Sequence, residues 1–260
     1  MGIELIGIRH AYAGRLVLDD VSLRIPAGCF GVILGRNGSG KSTLLRIAAG
    51  LLRPEWGEVR IGGKDILPLS VPARAGLVGY LAQFHQPVVS FSVRDVVLTG
   101  RAAGISAVPG RADEEAADEA LAQLGIADLA PRPYDELSGG ERQLVMIARV
   151  LAQRPQAILL DEPVSHLDLA NQIRLLQTLH QLTRQGITLL AALHDPNQAF
   201  LFADEIVYLD RGRFERHEEG AAHLDADRVG RLYGVPLTAA EVNGVTVVLP
   251  VLPPRGQPSI

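Results

Sequence analysis

One stretch of ten residues, "GRNGSGKSTL" (Gly35–Leu44), constrains this chain more than any other. It stands between two apolar runs, "FGVILG" and "LLRIAAGLL", which read as a strand and a helix. Gly35–Ser42 fits G-x-x-x-x-G-K-[ST] at every fixed position. Gly38 and Gly40 let the backbone curl with its N–H groups pointing inward, which makes a nest for an anion. The helix expected from Ser42 to Leu52 turns the positive end of its dipole towards the same point. Lys41 places a mobile positive charge on the outer phosphates, and the Ser42 hydroxyl can ligate Mg²⁺. A plain glycine turn before a helix is the simpler alternative. The strand before the loop and the helix after it favour nucleotide binding.

A second constraint is "AILLDEP", where four apolar residues end at Asp161 and Glu162. A buried strand that stops at two acids delivers them to the carboxyl edge of a parallel sheet, where α/β proteins hold ligands. Successive strand residues point opposite ways, so the two acids should do different jobs. One is expected to face the metal and the other an attacking water.

The third is "ELSGGERQLVMIARVLAQ". Ser138 and Glu141 have the spacing of a capping box, and Leu144, Val145, Ile147, Ala148 and Leu151 form an apolar helical stripe. A capped helix accounts for those residues but not for Gly139 and Gly140, which cost helix stability in a first turn. Their use would be to let an anion approach the N–H groups closely, which suggests a second phosphate site on the same chain.

The rest of the chain frames these motifs. "LIGIRHAY" and "VLDDVSLRI" read as strands split by "AGR", "GEVRIGGKDI" as a strand followed by a Gly-Gly turn, and "AGLVGYLAQ" as a short strand. From about Phe84 to Leu137 the pattern turns helical, with Ala117, Ala120, Leu121 and Leu124 on one face of a helix. "GITLLAALHD" reads as a buried parallel strand, and "LANQIRLLQTLHQLTRQG" as the helix before it. Strands alternating with helices argue for an α/β layered sheet. Beyond Glu215 the chain is less patterned, with one expected strand, "GVTVVLP", and a tail rich in Pro and Gly.

Composition narrows the function classes. The chain has 260 residues, enough for a real core. A net charge of −4 argues against a general nucleic-acid binder. The single cysteine, Cys29, allows no internal disulfide, fits a reducing cytoplasm and reads as a small buried apolar side chain. The start "MGIELIGIRHAY" lacks the pattern of a signal peptide. The longest apolar runs are far short of the roughly 20 residues a spanning helix needs, so a soluble chain with a membrane role only through a partner is expected.

Together "GRNGSGKST", "LSGGERQ" and "LLDEP" resemble the ATP-binding subunits of ABC transporters over roughly residues 3–217. The resemblance implies an α/β fold: a P-loop NTPase core sheet with an antiparallel β subdomain and an inserted helical subdomain. It places an ATPase domain at 1–220, the helical insertion at about 86–155 and a short C-terminal extension at 221–260. It implies ATP and Mg²⁺ as ligands. ATP would be held by Gly35, Arg36, Asn37, Gly38, Ser39, Gly40, Lys41, Ser42 and Thr43, with Asp161 beside the metal and Glu162 catalytic.

Other positions follow from the same likeness. Tyr12 falls where the family stacks an aromatic on adenine. Gln83, in "YLAQ", matches the glutamine that senses the γ-phosphate, the metal and the membrane partner. Asp168, in "VSHLDL", matches an aspartate that crosses between subunits, although His166 stands where Ala is usual. His194, in "AALHDPNQ", matches the switch histidine that holds the γ-phosphate and water. Two subunits would pack head to tail as a homodimer, with Ser138, Gly139 and Gly140 of one covering the ATP of the other.

"FSVRDVVLTGR", "SHLDLANQ" and "HDPNQA" are most similar to subunits of importers for iron-siderophores, haem, cobalamin and, in related systems, molybdate. That likeness implies a membrane permease as partner, a solute-binding protein acting through it, and a peripheral position on the cytoplasmic face of the cell membrane. The cargo stays open: an iron chelate first, then molybdate or tungstate, cobalamin and haem. Exporter ATPases and non-transport cassette proteins of repair or translation are the alternatives of another kind.

Overall fold

The computed structural model describes residues 2–82, 91–103, 109–165, 167–214, 225–242 and 244–252. It opens with a hairpin of β1 (Ile3–Tyr12) and β2 (Arg15–Ile25). The two residues between them, Ala13 and Gly14, both have positive φ, which matches the twist of a tight antiparallel turn. After β3 (Phe30–Leu34) and α1 (Lys41–Ala48) come β4 (Trp56–Ile61) and β5 (Lys64–Asp65), joined at Gly62-Gly63 in the same way. These strands make a four-stranded antiparallel sheet in the order β2-β1-β4-β5.

The expected helix from Ser42 to Leu52 is shorter than the apolar pattern suggested. Gly50 takes φ +65°, and the Leu51 N–H reaches back to the Arg46 carbonyl at 2.9 Å while the Gly50 N–H reaches Ile47 at 2.8 Å. This left-handed cap ends the helix at Ala48 and leaves Leu51 exposed.

A second sheet of six strands carries the centre of the molecule, in the order β10-β9-β3-β8-β7-β6. It takes in β6 (Val78–Leu81), β7 (Ala157–Asp161), β8 (Thr188–Leu193), β9 (Glu205–Asp210) and β10 (Arg213–Phe214). All pairings are parallel except the edge pair β9–β10. Its inner strands β3, β7 and β8 are buried throughout, as strands covered on both faces should be. Alternate residues then serve two cores. Ile158, Leu160, Leu189, Ala191 and Leu193 face a helical layer, while Ala157, Leu159, Leu190 and Ala192 face α1 and the antiparallel sheet.

The helical layer lies between β6 and β7 in the chain. It holds α3 (Val93–Leu98) with a 3₁₀ turn (Thr99–Ala103), α4 (Arg111–Gln123) and α5 (Gly139–Leu151). Earlier, α2 (Val71–Ala75) leads into β6. Ala117, Ala120, Leu121 and Leu124 are all buried on one face, as their spacing required. The expected edges of this layer and of the C-terminal extension, near 86 and at 220/221, lie outside the described residues. Helices α6 (Leu169–Arg184) and α7 (Pro196–Phe202) flank β8.

The described residues after Glu215 hold more regular structure than the one strand expected there. It forms α8 (Ala226–Tyr233) and a hairpin of β11 (Leu237–Val242) and β12 (Val245–Pro250). Asp225 caps α8 through the Arg228 N–H at 3.0 Å, and Gly234 closes it at φ +73°. Cys29 is half-buried rather than buried, because it sits just ahead of β3 at the rim of the antiparallel-sheet core. Burial, with Asp204 and Glu205 nearby, pushes its thiol pKa up. Among the described residues no helix is long and apolar enough to cross a membrane.

Candidate functional site

The glycine loop runs from the end of β3 to the start of α1. The Ser39 N–H closes the loop on the Arg36 carbonyl at 3.1 Å, and the Gly212 N–H holds the Ser39 carbonyl at 3.2 Å. Gly40 has φ +108°, and a Cβ there would lie 3.2 Å from the Val17 carbonyl oxygen. At Gly35 the reason is proximity alone, since a Cβ would come within 2.5 Å of the Leu209 carbonyl oxygen. Arg36, Asn37 and Gly38 are exposed on the outer turn, and Thr43 is half-buried in the first turn of α1. Ser39 Oγ is buried with no hydrogen-bond partner among the described residues and lies against Gly35, whose added Cβ would meet it at 2.7 Å.

Lys41 is only 5% exposed. Its Nζ donates to the Gly35 carbonyl at 2.7 Å and to the Arg36 carbonyl at 3.1 Å, so the ammonium is folded back over the loop. Burial lowers its pKa, and the nearby Glu162 and Asp161 oppose that shift. A charge held this way at a cradle mouth is poised to exchange two carbonyls for phosphate oxygens.

Asp161 and Glu162 do part company. Asp161, on the α1 side of β7, accepts from Ser42 Oγ at 3.0 Å and from the Tyr80 hydroxyl at 3.3 Å. Burial raises the Asp161 pKa, with the Ser42 and Tyr80 hydrogen bonds pulling against it and Glu162 adding to it. The Tyr80 phenol is raised by its own burial and by Asp161. Ser42 and Asp161 therefore offer two hard oxygens side by side. That suits Mg²⁺, which takes few protein ligands and completes its shell with phosphate and water.

Glu162 leaves the strand at φ +54°. Its Oε1 lies 2.5 Å from His194 Nε2, so the two residues come together at the carboxyl ends of neighbouring strands β7 and β8. The unusual backbone is held by Ser165, whose N–H and Oγ reach the Glu162 carbonyl at 3.2 and 2.8 Å. Ser165 and Tyr80 carried no separate signal in the sequence, because each acts on a partner that only folding identifies.

Ser138 caps α5 by accepting from the Glu141 N–H at 3.3 Å, and Glu141 Oε2 accepts from the Ser138 N–H at 2.8 Å. That backbone hydrogen bond, ahead of one from the Ser138 side chain and the charge of Arg132, lowers the Glu141 pKa. Ser138 and Gly139 are exposed. Among the described residues no hydrogen bond or ion pair joins Ser138–Gly140 to Gly35–Thr43 of the same chain.

Asp168 is exposed and caps α6, accepting from the Asn171 N–H at 2.8 Å and from Asn171 Nδ2 at 3.0 Å. Gln172 Nε2 donates to the Leu167 carbonyl at 3.0 Å, and Gln198 Nε2 donates to Gln172 Oε1 at 2.8 Å. The phrases "SHLDLANQ" and "HDPNQA" thus meet through a pair of glutamines. Tyr12 is 43% exposed at the tip of the β1–β2 hairpin, edge-on to His10 with ring centroids 4.8 Å apart. Gln83 and His166 lie outside the described residues.

The ABC transporter family model matches residues 18–165, from β2 through the glycine loop to the turn after Glu162. The chain belongs to the ABC transporter ATP-binding family. As such it is an ATPase with an ATP-binding cassette. It is 37% identical over 246 residues to the hemin import ATP-binding protein HmuV of Rhodococcus jostii, covering 94% of this chain and 84% of that one. A solved inward-facing transporter of the metal-chelate type matches 96% of this chain and 97% of its own, at TM-score 0.84 and 31% identity. The ATP-binding cassette MJ0796, solved as a dimer bound to ADP and Pi, matches 83% of this chain and 97% of its own, at TM-score 0.72 and 31% identity.

Proposed function

We propose that this ABC ATPase energises the import of a metal chelate, with an iron chelate first in line, through a membrane permease. The observation that carries the reading is the likeness to a metal-chelate type transporter along nearly the whole chain, C-terminal extension included. The likeness to a hemin import protein supports it over most of the same length. The chain would work as a homodimer, peripheral to the membrane on its cytoplasmic face and without nucleic acid, supplied by a solute-binding protein that feeds the permease.

In this proposal two copies close head to tail on two ATP molecules. Tyr12 stacks on the adenine, and the N–H groups of Gly35–Thr43 with Lys41 hold the phosphates. Ser42, Asp161 and Gln83 hold the Mg²⁺, which when bound neutralises charge on the phosphates. Ser138, Gly139 and Gly140 of the opposite copy cap the γ-phosphate, and Asp168 reaches across the seam. Glu162 takes a proton from water as its oxygen attacks the γ-phosphorus and the bond to the bridging oxygen of ADP breaks. His194, already against Glu162, holds the γ-phosphate and the water in place. Loss of phosphate removes the bridge between copies, and the dimer opens.

The test is reconstitution of the chain with its permease and binding protein in sealed vesicles. ATP-dependent uptake of a ferric chelate, absent in a Glu162→Gln variant, is the expected outcome. Uptake of cobalamin, haemin or molybdate alone would replace the cargo but keep the importer. ATP-driven efflux would overturn the direction of transport.

A further inference from the structure

Helix α8 and the β11–β12 hairpin close on the loop that carries His194 from two sides. Ahead of it, the Tyr233 hydroxyl donates to the His194 carbonyl at 2.9 Å. The next residue, Gly234, comes close to the P-loop, since a Cβ there would lie 3.8 Å from Arg36 Nη1. After it, Asn197 is tied to β12 twice: Nδ2 donates to the Val248 carbonyl at 3.2 Å, and Oδ1 accepts from the Val248 N–H at 2.8 Å.

The clamp is anchored independently of the site. Val229 and Leu232 of α8 are buried in the main core, and the Arg228 guanidinium lies 4.5 Å from the centroid of the Tyr208 ring on β9. Gly230 lets α8 approach the chain behind it, since a Cβ would be 2.8 Å from the Val235 carbonyl oxygen. The phenol is half-buried, and that burial pushes its pKa up to about 12, so it stays a neutral donor at physiological pH.

We infer that the C-terminal extension is a positioning element of the ATPase site: Tyr233 holds the near end of the His194 loop through the His194 carbonyl, and Asn197 holds its far end through Val248. The inference rests on the reading of His194 as the residue that holds the γ-phosphate and water. The Tyr233 hydroxyl bonds to the His194 backbone, so its role is to act through His194. A histidine held about one ångström from its working position costs turnover far more than ground-state affinity.

The experiment uses the full chain with Mg-ATP and measures ATP hydrolysis, ATP affinity, melting temperature and amide hydrogen exchange over residues 194–198. Tyr233→Phe keeps the ring and removes the hydroxyl. It is expected to lower kcat by about tenfold, the worth of one well-placed hydrogen bond, and to leave ATP affinity within about twofold. Exchange over 194–198 should quicken. Val229→Ala, which loosens the packing of α8 without touching the loop, serves as the control for stability.

A kcat within twofold of the parent in Tyr233→Phe, with unchanged exchange, overturns the inference. So does a fall in kcat that Val229→Ala reproduces at a matched loss of melting temperature. A His194→Ala arm separates the two levels. If His194→Ala hydrolyses ATP normally, the reading of His194 itself fails. If it is inactive while Tyr233→Phe is normal, only the positioning role fails.

Discussion

Gly140 lies directly against the side-chain amide of Asn171: a Cβ at Gly140 would be 2.8 Å from Asn171 Cγ and 3.0 Å from its Nδ2. The amide is also what holds Asp168, so the two loops assigned to the dimer seam touch each other inside one chain. Gly139, by contrast, has open space where its Cβ would be. Packing therefore accounts for Gly140, while at Gly139 only the proposed approach of a partner chain calls for a glycine. Gly140→Ala should displace Asn171, release Asp168 and reduce turnover by about tenfold or more, since a short amide on a helix has little room to yield. ATP binding to the separate chain should be unchanged. Gly139→Ala should disturb neither Asn171 nor the melting temperature. Thermal melts, ATP titration and ATPase rates on both variants decide this, and equal effects at the two glycines would contradict the division.

Lys41 makes its hydrogen bonds to carbonyls of its own loop, so removing it takes a donor from the Gly35 carbonyl and leaves the Arg36 carbonyl with the Ser39 N–H, as well as removing a charge. Lys41→Ala should lose most ATP affinity, by roughly 10- to 100-fold for charge-assisted contacts. Titration with a fluorescent ATP analogue measures it, and an unchanged Kd would refute the phosphate-cradle assignment.

The 2.5 Å approach of Glu162 Oε1 to His194 Nε2 places the two residues expected to handle the water and the γ-phosphate in one spot before any nucleotide arrives. Glu162→Gln keeps the size of the side chain but removes the base, so hydrolysis should fall by about 10²- to 10⁴-fold while ATP still binds. The variant should accumulate as a dimer with Mg-ATP, which light scattering would detect. A strict monomer under those conditions would rule out the head-to-tail closure. Ser165→Ala tests the support of Glu162: it frees one of two hydrogen bonds on the Glu162 carbonyl and should lower kcat by only a fewfold, about one neutral hydrogen bond.

How much of this could be read beforehand differs from residue to residue. The glycine loop, the two acids and the capped helix are local patterns, and a local pattern fixes backbone shape over a few residues. Asp161 and Glu162 do meet different partners, but strand alternation accounts only for Asp161, the last residue of the buried strand; Glu162 is turned by leaving it at φ +54°. Tyr80, Asn171, Gln172 and Tyr233 were illegible because each one's role is a contact across tens of residues. Tyr80 and Asp161 are 81 positions apart, and Tyr233 and His194 are 39 apart. Helix α8 was missed for a different reason. Its signals were present, an Asp cap at one end and Gly-Val-Pro at the other, but eight residues give the apolar period too little length to stand out. The apolar run continues past Gly50, the residue that ends the first helix, so the pattern overstates that helix's length.

Asp161 offers a test in which the proton balance sets the sign. Burial holds its native pKa above that of an aspartate in the unfolded chain, so the native state binds the proton more tightly. Below the ordinary aspartate range both states are protonated and the buried acid costs nothing. As the pH rises from there through the raised native pKa, native stability falls, and above that value the full cost of a buried carboxylate is present. Asp161→Asn carries no such charge and can still bond to Ser42 and Tyr80 once the Ser42 hydroxyl turns to accept. In EDTA near neutral pH the variant should melt above the parent, and the gap should narrow as the pH is lowered towards the aspartate range. With Mg-ATP the order should reverse, because the parent gains stability from a bound ligand that the variant holds poorly. Hydrolysis by Asp161→Asn should be nearly abolished. A gap of constant size at every pH would mean that Ser42 and Tyr80 fully compensate the buried charge, and an unaltered response to Mg-ATP would remove Asp161 from the metal site.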